Sequence, residues 1–123
     1  MSEDISRLPP QVQERLLRLQ QLQQTLQTVM AQKQQVEMEQ TEVDQSLAEL
    51  QKTAADAVIY KAIGSLLVKA EKAKVTEELA ERKELLTTRS TVLARQEERL
   101  RSQTKEVQTK LQEDLSPVSP PSP

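Results

Sequence analysis

The sequence predicts a mainly α protein: two long helices fold back into an antiparallel coiled coil, joined by a β-hairpin that pairs with strands of other chains. Three observations predict it. Six heptads run in phase through residues 11–52, and a second stretch of matching length without Gly or Pro covers residues 71–115. Between them lie two short apolar runs around the only glycine of the 123 residues.

Residues 1–8 read as a flexible leader. Pro9-Pro10 follows, and proline suits a helix start but not a helix interior, so helix one is expected over 9–52. Val12, Leu19, Leu26, Lys33, Gln40 and Leu47 are seven apart, and so are Arg15, Leu22, Val29, Val36, Val43 and Leu50, three residues later. These are the a and d positions of a heptad; four of six a residues and five of six d residues are apolar. Lys33 and Gln40 are consecutive polar a positions. They specify register at some cost in stability, or soften the middle of the arm. The 13 Gln of residues 11–51 serve as solvated helix formers.

Thr53-Ala54-Ala55-Asp56 reads as a linker. Val58-Ile59-Tyr60-Lys61-Ala62-Ile63 has a strand composition, Gly64-Ser65 a turn composition, and Leu66-Leu67-Val68-Lys69 is a second short run. A hairpin over 57–69 is expected, with positive φ at Gly64 in a primed turn. The second helix is expected over 71–115. Leu79, Leu86, Leu93, Leu100 and Val107 recur every seven residues, but the companion series (Val75, Arg82, Arg89, Gln96, Gln103, Lys110) is mostly polar. Leu85, Val92 and Leu111 are expected to widen this stripe. Ten acidic and ten basic residues are mixed along it. Residues 116–123, rich in Ser and Pro, are expected to be disordered. Equal helices of about 1.5 Å rise per residue would each extend roughly 60 Å, pairing Leu50 with Val75 and Val12 with Leu111.

The composition excludes several functions. There is no Cys and no His, which removes thiol nucleophiles, imidazole bases and the common zinc sets. No metal or other cofactor is expected. One aromatic residue is too few for an ordinary globular core. Seventeen basic against 19 acidic residues, a net of −2, disfavour nucleic acid as a partner. No apolar run is long enough to cross a bilayer. Met1-Ser2-Glu3-Asp4 lacks a signal-peptide profile, so a cytoplasmic protein is expected. Glu77-Glu78 and Glu97-Glu98 read as solvated helix faces rather than acid/base pairs, and a single glycine excludes a Gly-rich phosphate loop. An enzyme is not expected.

A lone two-stranded hairpin is marginal in water. This one is apolar on both faces, with Val58, Tyr60 and Ala62 on one and Ile59 and Ile63 on the other, and its open edges invite pairing. Strands from other chains should complete it as a shared sheet or barrel. The plainer alternative is packing on the base of its own helices. The residues expected to carry oligomerisation are Val58, Ile59, Tyr60, Ile63, Gly64, Leu66, Leu67 and Val68.

The stretch Ile59-Tyr60-Lys61-Ala62-Ile63-Gly64-Ser65-Leu66-Leu67-Val68-Lys69 is similar to the hairpin of β-type prefoldin subunits. Pro9-Pro10-Gln11-Val12-Gln13, the Gln-rich first helix, Glu77-Glu78-Leu79 and Arg95-Gln96-Glu97 extend the resemblance over residues 9–115, in the archaeal style. One hairpin rather than two points to the β class. The Ser/Pro tail departs from the family pattern. The resemblance implies an intersubunit β-barrel in a heterohexamer of two α-type and four β-type subunits. It further implies an ATP-independent chaperone that holds unfolded client proteins at its coiled-coil tips and passes them to a chaperonin. The alternative is a structural coiled-coil adaptor without client binding. At the tip the candidate client-binding residues are Leu8, Val12, Leu16, Leu17, Val107, Leu111 and Leu115. Leu16 and Leu17 fall outside the a/d series, whereas Val12 and Val107 serve the seam equally well.

Overall fold

A computed structural model describes residues 7–116. Along the chain stand helix α1 (Pro10–Lys52), strands β1 (Ile59–Ile63) and β2 (Leu66–Ala70), and helix α2 (Lys72–Leu115). Residues 1–6 of the expected leader and 117–123 of the expected disordered tail lie outside the described residues.

Helix α1 starts where the two prolines allow it. Pro10 takes the first helical position, where its missing N–H costs nothing. The Pro9 carbonyl accepts from the N–H groups of Val12 at 3.0 Å and Gln13 at 3.1 Å. At the other end Thr53 satisfies the Leu50 carbonyl twice, through its N–H at 3.2 Å and its hydroxyl at 2.7 Å. The strands pair antiparallel, with Ile59 opposite Ala70 and Ile63 opposite Leu66. Gly64 has φ +59° and no other described residue is positive. Positive φ at the first turn position and not at Ser65 is the type II′ combination, whose twist matches that of the strands.

By its internal contacts the chain forms two compact units. Among the described residues the hairpin unit holds 32–93 and the end unit holds 7–31 and 94–116. In the hairpin unit Val36, Val43 and Leu86 form the buried core, with Leu47, Leu79 and Leu93 packed against it. The Arg82–Glu39 pair at 3.0 Å and the Lys83–Asp44 pair at 3.1 Å join the two helices along the exposed edges of this seam. In the end unit Val12, Leu22, Val29 and Leu111 are buried. There Arg15, a d position, makes an ion pair with Asp114 of α2.

Every a and d position of α1 is covered, as the heptads predict, and Gln13, Leu16 and Glu39 beside them are partly covered as well. Helix α2 departs from its expected stripe. Leu85 and Val92 are 45% and 47% exposed, so they do not widen the seam. Instead the companion series advances by one residue: after Val75 and Arg82, Ser90, Glu97, Thr104 and Leu111 are covered while Arg89, Gln96 and Lys110 are exposed, and Gln103 stays partly covered beside Thr104. The step from Arg82 through Leu86 to Ser90 is four plus four, where the regular step to Arg89 would be four plus three. An extra four-residue step is a stutter, which locally unwinds a coiled coil. Thr104 tolerates burial because its hydroxyl donates to its own helix, to the Leu100 carbonyl at 2.7 Å.

Candidate interaction surfaces

The first candidate surface is the hairpin. Every residue from 60 to 69 is exposed, and only Ile59 and Ala70, at its base, are partly covered. Strand alternation divides it into two faces. Val58, Tyr60, Ala62, Leu67 and Lys69 share one; Ile59, Lys61, Ile63, Leu66, Val68 and Ala70 share the other. The two-residue turn makes Ile63 and Leu66 a hydrogen-bonded pair, so Ala62–Leu67 and Tyr60–Lys69 are non-hydrogen-bonded pairs. Their N–H and C=O groups point out from the two edges of the hairpin. The residues that present free backbone groups are thus the ones whose side chains form the first face. An open groove runs along β1, with Glu42, Ser46 and Glu49 of α1 as its far wall, so α1 does not cover that strand edge.

All the expected oligomerisation residues lie on or in this hairpin or its approach. Tyr60, Ile63, Leu66, Leu67 and Val68 are exposed, Val58 precedes β1 and is exposed, Ile59 is partly covered, and Gly64 makes the turn. The space around Gly64 is open, since a Cβ there would meet nothing within 4 Å. The constraint on it is conformational alone, and a left-handed residue with a Cβ costs about 1–2 kcal/mol. Gly64→Ala is therefore expected to speed amide exchange in β1 and β2 severalfold while leaving the helical melting temperature unchanged. Hydrogen-exchange mass spectrometry on the free chain checks this.

The second candidate surface lies in the end unit. Leu17 is 56% exposed and Leu115 is 54% exposed, whereas Val12 and Leu111 are buried. Leu8, Leu16 and Val107 are partly covered. The seven tip candidates thus separate into two exposed leucines, three half-covered residues and two interior ones. The interior pair would meet another molecule only if the helix ends part. Arg101 of α2 reaches both Glu97, at 3.3 Å, and the Met30 sulfur of α1, at 3.6 Å. Glu97 is a mostly covered seam residue, not part of a solvated face.

Sequence reasoning also missed Lys61 and Glu78. The Lys61 ammonium lies 2.7 Å from the Glu78 carboxylate. That hydrogen bond holds the Glu78 pKa below its ordinary value of 4.5; desolvation opposes it, and weaker attractions from Lys61 and Lys74 reinforce it. A depressed carboxylate pKa means the pair's contribution is complete above the ordinary value and is lost as pH falls through the lowered one. Glu77 is exposed, so of the two adjacent carboxylates Glu78 is the one engaged by Lys61 of the hairpin. A period of seven from Leu79 could not reveal this, because the partner sits on another element. Among the described residues no group of carboxylates is arranged to hold a metal ion. No described helix is long and apolar enough to cross a membrane.

Comparison with known proteins agrees with this architecture. The profile of the prefoldin subunit family matches residues 13–117. The prefoldin β subunit of Archaeoglobus fulgidus is 50% identical over 110 residues, covering 89% of this chain and 95% of that one. The β subunit of Thermococcus onnurineus is 46% identical over 112 residues, covering 91% and 97%. The crystal structure of the prefoldin β subunit from Thermococcus strain KS-1 superposes with a TM-score of 0.81 at 43% identity, covering 90% of this chain and 97% of that one. Two long helices joined by one exposed hairpin are thus matched in sequence and in structure, and the chain belongs to the prefoldin family, among its β-type subunits.

Proposed function

We propose that this chain is a non-enzymatic subunit of an ATP-independent holdase. Its hairpin assembles with an α-type subunit and with other copies of this chain, as two α and four β in a cytoplasmic heterohexamer. The helix ends hold unfolded client proteins and release them to a chaperonin. Membership of the prefoldin family supports the chaperone role. The observation that carries the division of labour is the exposure of apolar side chains in two separate places, the hairpin and the helix ends. The hairpin offers free backbone groups as well as apolar side chains, which suits strand addition by a folded partner. Leu17 lies inside α1, where the helix takes up the backbone groups, and Leu115 is the last residue of α2; both offer mainly an apolar side chain, which suits sequence-tolerant contact with an unfolded chain.

The test is suppression of client aggregation by the complex assembled with an α-type subunit. Leu17→Ser with Leu115→Ser leaves the seam untouched. At about 25 cal/mol per Å² of apolar surface, two half-exposed leucines contribute roughly 1–2 kcal/mol to client contact. The double variant is therefore expected to need about tenfold more complex for equal protection, with the assembly intact. Deleting residues 1–17 and 107–123 should abolish protection. A structural adaptor, the alternative, would show no protection to lose.

A further inference from the structure

The hairpin hangs from the helices by unequal connections. Six residues, 53–58, join α1 to β1, whereas Glu71 alone joins β2 to α2. A one-residue joint leaves two backbone torsions about which the hairpin can swing against α2. Only Ile59 and Ala70 are partly covered at its base, so apolar packing restrains that swing weakly. One side chain crosses the gap higher up. Lys61 is the only charged residue on its face of the hairpin, among Ile59, Ile63, Leu66, Val68 and Ala70. It reaches Glu78, in the second turn of α2, at 2.7 Å across 17 residues of chain. The root is tied as well: the Lys72 ammonium donates to the Thr53 carbonyl at 2.7 Å, closing the end of α1 onto the start of α2.

We propose that the Lys61–Glu78 pair is a latch that fixes the angle of the hairpin to α2, and that both are positioning residues for assembly. This rests on the reading of the hairpin as the assembly surface. With the latch closed, the face bearing Lys61 is held toward α2, and the face of Val58, Tyr60, Ala62 and Leu67 stands ready with its outward backbone groups. A partner then meets one orientation rather than a swinging ensemble, and the ordering cost of association falls. Lys69, Glu71 and Lys74 line the same cleft. Lys74 adds attraction for Glu78, consistent with the direction of its pKa shift. An exposed ion pair adds little to the stability of a fold. The latch therefore acts on presentation of the hairpin and not on helical stability.

The experiment uses the full chain with an α-type prefoldin subunit, comparing wild type, Glu78→Gln, Lys61→Glu, Glu78→Lys and the double exchange Lys61→Glu/Glu78→Lys. Assembly is followed by mass photometry across a dilution series, and helical melting by circular dichroism. Glu78→Gln is expected to weaken assembly about threefold and each single reversal about tenfold, with helical melting unchanged. The double exchange is expected to recover assembly to within about threefold of wild type. In the free chain the single reversals should also speed exchange of the β1 and β2 amides, and the double exchange should slow it again. A double exchange as weak as the product of its two singles overturns the latch. Should the wild-type chain itself fail to assemble, the assembly reading falls, while the exchange measurement on the free chain still reports whether the latch exists.

Discussion

Replacing Leu86 with alanine is expected to lower the melting temperature of the free chain by roughly 10–20 °C. Leu86 is fully buried, and no other described side chain is so completely enclosed. It lies between Val36 and Val43, with Leu79 and Leu93 beside it in the same core cluster. Truncating a buried leucine costs about 2–5 kcal/mol, the transfer of its methyl groups plus the cavity left behind. Each kcal/mol shifts the melting temperature of a small domain by about 4–8 °C. Alanine is a better helix former than leucine, so the loss is one of packing and not of helix propensity. A narrow seam also has little neighbouring apolar material with which to refill the gap. The internal control is the adjacent residue. Leu85 is 45% exposed, and Leu85→Ala should cost less than about 1 kcal/mol. Melting curves by circular dichroism separate the two. If both variants melt alike, the phase of α2 described above is wrong.

That phase marks the limit of what the sequence made legible. In α1 apolar residues fill both heptad series almost throughout, so the period alone identified Val12, Leu22, Val29, Val36, Val43 and Leu50 as interior. In α2 only the leucine series is apolar. Its companion series could slip by one residue, from Arg89 to Ser90, without any apolar residue marking the change. Leu85 and Val92 were misleading because hydrophobicity locates a stripe only when most of the stripe is hydrophobic. The hairpin was legible because Gly64 sits where a type II′ turn requires positive φ. Its exposure followed from having apolar residues on both faces with too few partners in one chain. Contacts between elements were not legible. The Arg15–Asp114 pair spans 99 residues and Lys61–Glu78 spans 17, and both depend on where one helix face lands against another element. A charged residue at a d position, as Arg15 is, was the one available hint that the seam of the end unit closes through an ion pair.

Leu67→Glu is expected to leave the free chain folded and to weaken assembly with an α-type subunit by at least thirtyfold. Leu67 is 74% exposed, the most open of the described large apolar residues. It stands opposite Ala62 on the face shared with Val58 and Tyr60. In the free chain a glutamate there remains in water, and surface substitutions of this kind change stability by no more than about 0.5 kcal/mol. The helices, with their buried seam residues, should melt as before. Under strand addition the same position is covered by an apolar partner surface. A carboxylate buried there loses hydration without a counter-charge, and an apolar anchor is lost as well; central interface residues of this kind are worth about 2–4 kcal/mol, or thirtyfold and more. Leu66 lies on the opposite face, with Lys61, and is 65% exposed. Leu66→Glu therefore tests whether both faces are covered in the assembly. In a closed barrel one face turns inward, away from water, and the other toward solvent or the neighbouring helices. The two variants should then differ by tenfold or more, and the weaker assembler identifies the inward face. Mass photometry on equal mixtures measures both. Equal, wild-type assembly by both variants would remove the hairpin from the interface altogether, whereas equal loss would mean an open sheet covered on both sides rather than a barrel.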